Sequence, residues 1–266
     1  MLNSVFPDNR NRLSPALLLV CLVFITGISL NIPYSAHAGE WRVTPIRIFF
    51  DRGARIGTVN VQNDGDAPMN FQVKAMEWTQ DAEGKDQYAE MSDLIYFPKL
   101  LTIPPREERV IRIGLKGLGG ASEKTYRLFV EEISPPRKDG NAEGATVAVN
   151  VRFAVPLFVA PLKEQPNGQL LKTELDKGII SSTLRNTGNV HFRLLSLKFQ
   201  GRSASGEVTF SQTVDGWYLL NGTTRTFSSQ IPVESCRKTS LIEVEGTTDR
   251  KFAIKGNVVI DSNQCQ

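Results

Sequence analysis

The sequence predicts an all-β protein built as two immunoglobulin-like β-sandwich domains. Three observations carry that prediction. From Glu40 onward, short runs of apolar residues alternate with polar ones at period two, as in strands buried on one face. Turn chemistry separates the runs at the spacing of about 8–12 residues expected of an immunoglobulin-like sandwich. A polar stretch from Lys163 to Gly168, containing Pro166, divides the runs into two sets, and no stretch has a convincing helical period. The same alternation is compatible with a closed barrel; the turn spacing favours the sandwich.

The chain opens with Arg10 and Arg12, an apolar run from Leu13 to Leu30, and the small-residue pattern Ala36-His37-Ala38. This is the pattern of a secretory signal peptide spanning residues 1–38, with cleavage after Ala38. Pro15 interrupts the start of the run and the cleavage pattern follows at the right distance, so no membrane insertion of the mature chain is expected. Cleavage leaves 266 − 38 = 228 residues, which suits one large domain or two of about 100 residues. Asp8, Arg10 and Arg12 leave with the signal, so the mature charge is (31 − 2) − (28 − 1) = +2. A balance so near neutral argues against a nucleic-acid partner, which selects a strongly basic domain or stripe.

The first set, residues 39–161, is expected to hold about seven strands. Val43 to Phe50 is apolar with Arg47 inside it, and Gly57 to Asn63 runs into the turn Asn63-Asp64-Gly65-Asp66. Phe71, Val73 and Ala75 alternate with Gln72, Lys74 and Met76 in a strand ending at Trp78, closed by the polar turn Asp81 to Lys85. Leu94 to Ile103 contains Phe97-Pro98 and leads into Pro104-Pro105, so it is expected to bend and end there. Val110 to Leu115 puts Ile111, Ile113 and Leu115 on one face, and Tyr126 to Ile133 carries Arg127.

The last strand of this set, Ala145 to Pro161, is the unusual one. Val147, Val149, Val151, Phe153 and Val155 fall on one face; the other carries Arg152 and, at Pro156, lacks an amide donor. An edge strand tolerates that and a central strand does not. A long apolar edge invites aggregation unless the chain covers it or a partner pairs with it.

The second set, residues 162–266, has strands at Leu170–Leu175, Ile179–Arg185, Phe192–Phe199, Val208–Val214, Trp217–Leu220, Thr224–Ile231, Leu241–Glu245 and Phe252–Ile260, with a turn at Asn186 to Asn189. No sequence repeat relates the halves. Once Cys21 is cleaved off, Cys236 and Cys265 remain, and an even pair in an exported chain points to one disulfide. No third and fourth ligand lie near them, so neither a metal nor another cofactor is expected.

Enzyme chemistry finds little footing. His191 is the one histidine of the mature chain, with no serine or cysteine signature around it. Glu131 and Glu132 are adjacent and so face opposite sides of a strand, and the glycines from Gly114 to Gly120 precede no helix.

Arg47, Asn63-Asp64-Gly65, Trp78, FPKLLTIPPREERVIRI (97–113), YRLFVEEISP (126–135) and VRFAVPLFVAP (151–161), following a signal peptide, together resemble the periplasmic chaperones of the chaperone–usher pilus pathway. The resemblance is dense over the first set and thinner over the second. It implies two immunoglobulin-like domains at an angle, in the periplasm, working in fimbrium biogenesis. The last strand of the first domain is then lent to a pilus subunit that lacks its own, a form of β-augmentation, until an outer-membrane usher exchanges it. Val147, Val149, Val151 and Phe153 would fill the subunit's groove, together contributing about 6–12 kcal/mol gross before ordering and association costs.

One departure marks this chain. The best-known members place a lysine near the end of this strand, which with an arginine of the first strand anchors the subunit's terminal carboxylate; here Pro156 stands in that place. The resemblance is then to the archaic or alternative branch. Arg127 and Arg152 are the expected carboxylate anchor, with Arg47 the third candidate, because guanidinium groups donate paired hydrogen bonds to carboxylates. The exposed edge also admits a self-capping dimer. The competing reading is a secreted structural subunit or adhesin; against it, the mature chain starts at Glu40-Trp41 with a strand assigned to the first domain rather than a spare one.

Overall fold

The structure, a computed structural model, describes residues 40–51, 53–117, 119–133 and 150–265. The expected signal peptide, Val147 and Val149 lie outside the described residues. The first sandwich comprises β1 (Trp41–Thr44), β2 (Ile48–Phe50), β3 (Ile56–Asn63), β4 (Met69–Gln80), β5 (Asp86–Ala89), β6 (Leu94–Phe97), β7 (Leu100–Ile103), β8 (Glu108–Leu115), β9 (Lys124–Glu132) and β10 (Arg152–Val159). One sheet runs β1-β3-β8-β6 and the other β2-β10-β9-β4-β5, with β7 also on β4.

Two expected strands are each split between the sheets. Val43 to Phe50 becomes β1 on one sheet and β2 on the other, and Leu94 to Ile103 becomes β6 and β7. The breaks fall at Pro45 and Pro98, which have no N–H to continue a ladder, so the chain leaves one sheet and joins the facing one. β5 is an element that turn and alternation signals do not announce, since Asp86–Ala89 carries one large side chain, Tyr88.

The second sandwich comprises β11 (Gly168–Asp176), β12 (Ile179–Asn186), β13 (Phe192–Arg202), β14 (Val208–Asp215), β15 (Tyr218–Leu219), β16 (Thr224–Gln230), helix α1 (Val233–Arg237), β17 (Leu241–Thr248) and β18 (Ile254–Val259). Its sheets run β11-β12-β16 and β14-β13-β17-β18, with β15 on β13. The expected disulfide is present: Cys236 of α1 is bonded to Cys265 in a terminal 3-10 turn, both sulfurs' residues fully buried.

Each sandwich has its own core, and a third small cluster, Trp78, Phe158, Tyr218 and Leu220, joins them. His191 belongs to this junction. Its ring stacks on Phe158 at 3.7 Å, while its backbone N–H and ring Nδ1 both donate to Glu123 Oε2 at 2.8 Å. The linker is clamped as well. Asn189 Nδ2 donates to Ala121 O and Lys163 O, and its Oδ1 accepts from Gln165 N. A Cβ on Gly188 would lie 2.4 Å from Gln165 O, so only glycine allows the linker this close.

Candidate functional site

Along β10 the odd-numbered residues face the first core and the even-numbered ones face away. Val155, Leu157 and Val159 belong to that core, whereas Phe158 belongs to the junction cluster. The core ends inside the strand. Phe153 is 36 % exposed and Val151 37 %, although they share the face of Val155, which is 0 % exposed. Phe153 meets only the rim, its ring 6.4 Å from that of Trp41. Val155 is therefore corrected: expected among the partner-facing residues, it is a core residue of its own sandwich.

The edge character of β10 is likewise confined to part of its length. β9 pairs with it from Arg152 to Val159, but β2 covers its other side only at Leu157–Val159, in parallel. Among the described residues, Arg152–Pro156 have no strand on that second side. An apolar face and an unpaired backbone edge thus coincide over the same few residues, on the side from which Val149 and Val147 continue the alternation in sequence.

The outward face of the same sheet holds the arginines. Arg127 on β9 lies opposite Pro156, and Arg152 lies opposite Glu131. One residue beyond the last β2–β10 pair, Ile48 with Leu157, Arg47 is level with Pro156 on the side away from Arg127. Arg47 and Arg127 therefore flank Pro156, while Arg152 is four residues, about 13 Å, further along the strand.

The three differ in what surrounds them. Arg152 is half-exposed, 3.8 Å from Glu131 and 3.8 Å over the Phe129 ring, an arrangement of little weight for stability in water. Arg127 is 6 % exposed. Its guanidinium lies 3.7 Å over the Trp78 ring and 5.7 Å from that of Tyr218, and Nη1 donates to Ala154 O at 3.3 Å. Nε is buried without a hydrogen-bond partner, and no carboxylate comes within ion-pair distance of it among the described residues. Burial pulls the Arg127 guanidinium below its ordinary pKa, and the nearby Tyr88 and Asp86 only partly offset this. Asp86 is already engaged, accepting from Gln80 Nε2 at 3.0 Å and Trp217 Nε1 at 3.4 Å.

A buried cation without a counter-ion is destabilising unless something supplies the charge. Aromatic faces compensate partly. The arrangement is chemically suited to receive an anion that is flat and small enough for a guanidinium fork, which is to say a carboxylate. The aromatic neighbours Trp78, Tyr88 and Tyr218 are functional candidates that alternation alone does not identify. Trp78 and Tyr218 look like ordinary strand residues, and Tyr88 sits in a strand with no pattern of its own.

Comparison with known proteins agrees with the architecture. Residues 41–164 match the family model of the PapD N-terminal domain, described as a pili and flagellar-assembly chaperone. Among solved structures, the chain is similar to the CsuC–CsuE chaperone–tip adhesion subunit pre-assembly complex from archaic chaperone–usher Csu pili of Acinetobacter baumannii, at 22% identity and TM-score 0.57, covering 81% of this chain and 97% of that one. It is similar to the YadV chaperone at 15% identity and TM-score 0.55, covering 83% and 100%. For the class 5 fimbriae chaperone CfaA the values are 11%, 0.51, 83% and 100%. These likenesses establish the fold. No curated protein sequence matches the chain.

Proposed function

We propose, for a chain that through residues 41–164 belongs to the PapD family of pili and flagellar-assembly chaperones, that it binds pilus or fimbrial subunits in the periplasm by lending them the free half of β10, and passes them to an outer-membrane usher. The observation that carries this reading is the coincidence on β10 of an unpaired backbone edge at Arg152–Pro156 with apolar side chains that run out of the core at Phe153 and Val151. Backbone hydrogen bonds along that edge supply affinity for any strand laid against it, and the protruding side chains supply the fit. Val147 and Val149 extend the donated face by sequence alternation.

The subunit's terminal carboxylate is held at Arg127, with Arg47 or Arg152 completing the anchor. Arg127 is the central member because it is buried and has no counter-ion among the described residues. The proline in place of the customary lysine, together with the arginine-only anchor, assigns the chain to the archaic or alternative branch. Residues 1–38 act as the cleaved export signal, and residues 39–161 and 162–266 are the two domains.

The test is co-purification from the periplasm with a small secreted pilus subunit expressed alongside it. Wild-type protein is expected to bring the subunit down; Val151→Asp, which places a charge on the half-exposed face without touching the core, is expected to lose it while remaining folded. Equal recovery with Val151→Asp contradicts strand donation.

A further inference from the structure

On the reading of Arg127 as the anchor of a subunit's chain terminus, we propose that Gln80 is a positioning residue of that site. Its side-chain amide ties the second sandwich to β4 and so holds Tyr218 against the Arg127 guanidinium. The carboxylate site is then shared between the two sandwiches.

Gln80 is the last residue of β4, two positions after Trp78, so the two side chains fall on one face of that strand. Both ends of its amide are engaged. Nε2 donates to Tyr218 O and to Asp86 Oδ1, each at 3.0 Å, and Oε1 accepts from Leu220 N at 3.0 Å. In a strand, the carbonyl of one residue and the N–H two residues on point to the same side, and a neighbouring antiparallel strand bonds them together. A single side chain thus takes a strand's place beside β15, which is otherwise paired with β13.

These bonds fix the Tyr218 backbone, and its ring reaches back to the first sandwich. The ring stands edge to face on Trp78 at 5.4 Å and lies 5.7 Å from the Arg127 guanidinium, which itself lies 3.7 Å over Trp78. Arg127 is therefore bounded by one ring from β4 and one from β15, and both Tyr218 and Arg127 are buried. Aromatic walls hold a guanidinium fork in one orientation and keep water from its charge, so a carboxylate gains more from it. A second tie crosses the same junction without involving Tyr218: Arg225 Nη1 donates to Gly84 O, in the β4–β5 turn, at 2.8 Å. Both ties join the sandwiches; of the two, Gln80 alone sets a ring on Arg127.

The full mature chain is titrated with two synthetic peptides carrying the C-terminal sequence of the co-purifying subunit, one ending in the free carboxylate and one in the amide. Wild-type protein is expected to prefer the carboxylate peptide by about tenfold or more. Gln80→Met keeps the length of the side chain and removes its hydrogen bonds. It is expected to cut that preference by about two- to fivefold, with little change in affinity for the amide peptide. Gln80→Asn, which keeps the amide but shortens its reach by one methylene, is expected to act in the same direction. Tyr218→Leu should cut the preference as much as Gln80→Met, and the double variant no further. Arg225→Ala breaks the other tie and should leave the preference unchanged. An undiminished preference in folded Gln80→Met or Gln80→Asn, or an equal loss in Arg225→Ala, overturns the role of Gln80 alone. Equal binding of both peptides by the wild type overturns the carboxylate anchor itself, and the role of Gln80 with it.

Discussion

The two sandwiches contain the same device at the same place and use it differently. β3 and β12 are each eight residues long and end at a buried asparagine, Asn63 and Asn186, which lie 186 − 63 = 123 positions apart. Each asparagine accepts a hydrogen bond at 2.9 Å from the glycine two residues on. Each donates through Nδ2 to a carbonyl four residues on, Ala67 at 2.7 Å and Val190 at 2.8 Å, and to a neighbouring strand end, Ile103 or Leu219. The next strands, β4 and β13, start at the same offset, Met69 and Phe192. In the first sandwich the turn ends there, with Asp64 and Asp66 on surface ion pairs to Arg42 and Arg106. In the second it continues into Asn189 and His191, which clamp the linker and Glu123.

The difference extends to what each sandwich leaves open. The second sandwich seals its end with a disulfide and crosses its polar sheet with hydroxyl pairs such as Ser181–Ser228 and Thr183–Thr226. Among the described residues, the first leaves one side of Arg152–Pro156 without a strand and Arg127 buried without a counter-ion. Shared architecture thus divides into a part whose buried side-chain polar atoms all have partners among the described residues and a part that holds a buried guanidinium Nε without one beside a free strand edge, and the second part is where binding is expected.

Removing the shared device should have the largest effect. Asn63→Ala and Asn186→Ala each strand several buried backbone groups and should lower stability by about 3–4 kcal/mol in urea unfolding. They should differ in reach: only Asn186→Ala is expected to speed amide exchange at His191 and Glu123. Equal loosening of the junction by both would erase the distinction between the two turns. Replacing Cys236 and Cys265 by serine should remove about 2–4 kcal/mol, since the bond closes a loop with a sequence separation of 29 residues. Subunit capture at folding temperatures should survive, because the bond lies in the sealed sandwich.

Arg127→Met should reverse the usual direction. Exchanging a buried cation that has no counter-ion among the described residues for an apolar side chain of similar length is expected to leave stability unchanged or raise it by about 1–2 kcal/mol, read in the same unfolding experiment, while subunit binding falls. A loss of several kcal/mol would show that Arg127 is already compensated in the free protein. Arg152→Ala, by contrast, breaks a half-exposed pair and should change stability by less than about 1 kcal/mol.

Much of this was legible in the sequence. Alternation marks the strands of both sandwiches, and the polar stretch from Lys163 divides them. What it misses has particular causes. Val155 alternates perfectly with Val151 and Phe153, but alternation assigns a face and says nothing about where along the strand the core stops. Pro45 and Pro98 announce a break without saying that the chain changes sheets. Asn63 and Asn186 both look like turn residues, and their burial beneath the turns depends on carbonyls from distant strands. Arg127 is reached through the family resemblance, whereas the aromatic residues around it come from β4, β5 and β15 and converge only in three dimensions.

The most direct measurement is amide hydrogen exchange along residues 147–159 in the free protein and in its complex with the co-purified subunit. The two halves of β10 are internal controls for one another. Protection is expected to rise on the N-terminal side, through Val155, and to stay constant at Leu157–Val159, which β2 and β9 already hold on both sides. An unchanged N-terminal half in a stable complex would contradict strand donation and place the subunit elsewhere on the molecule.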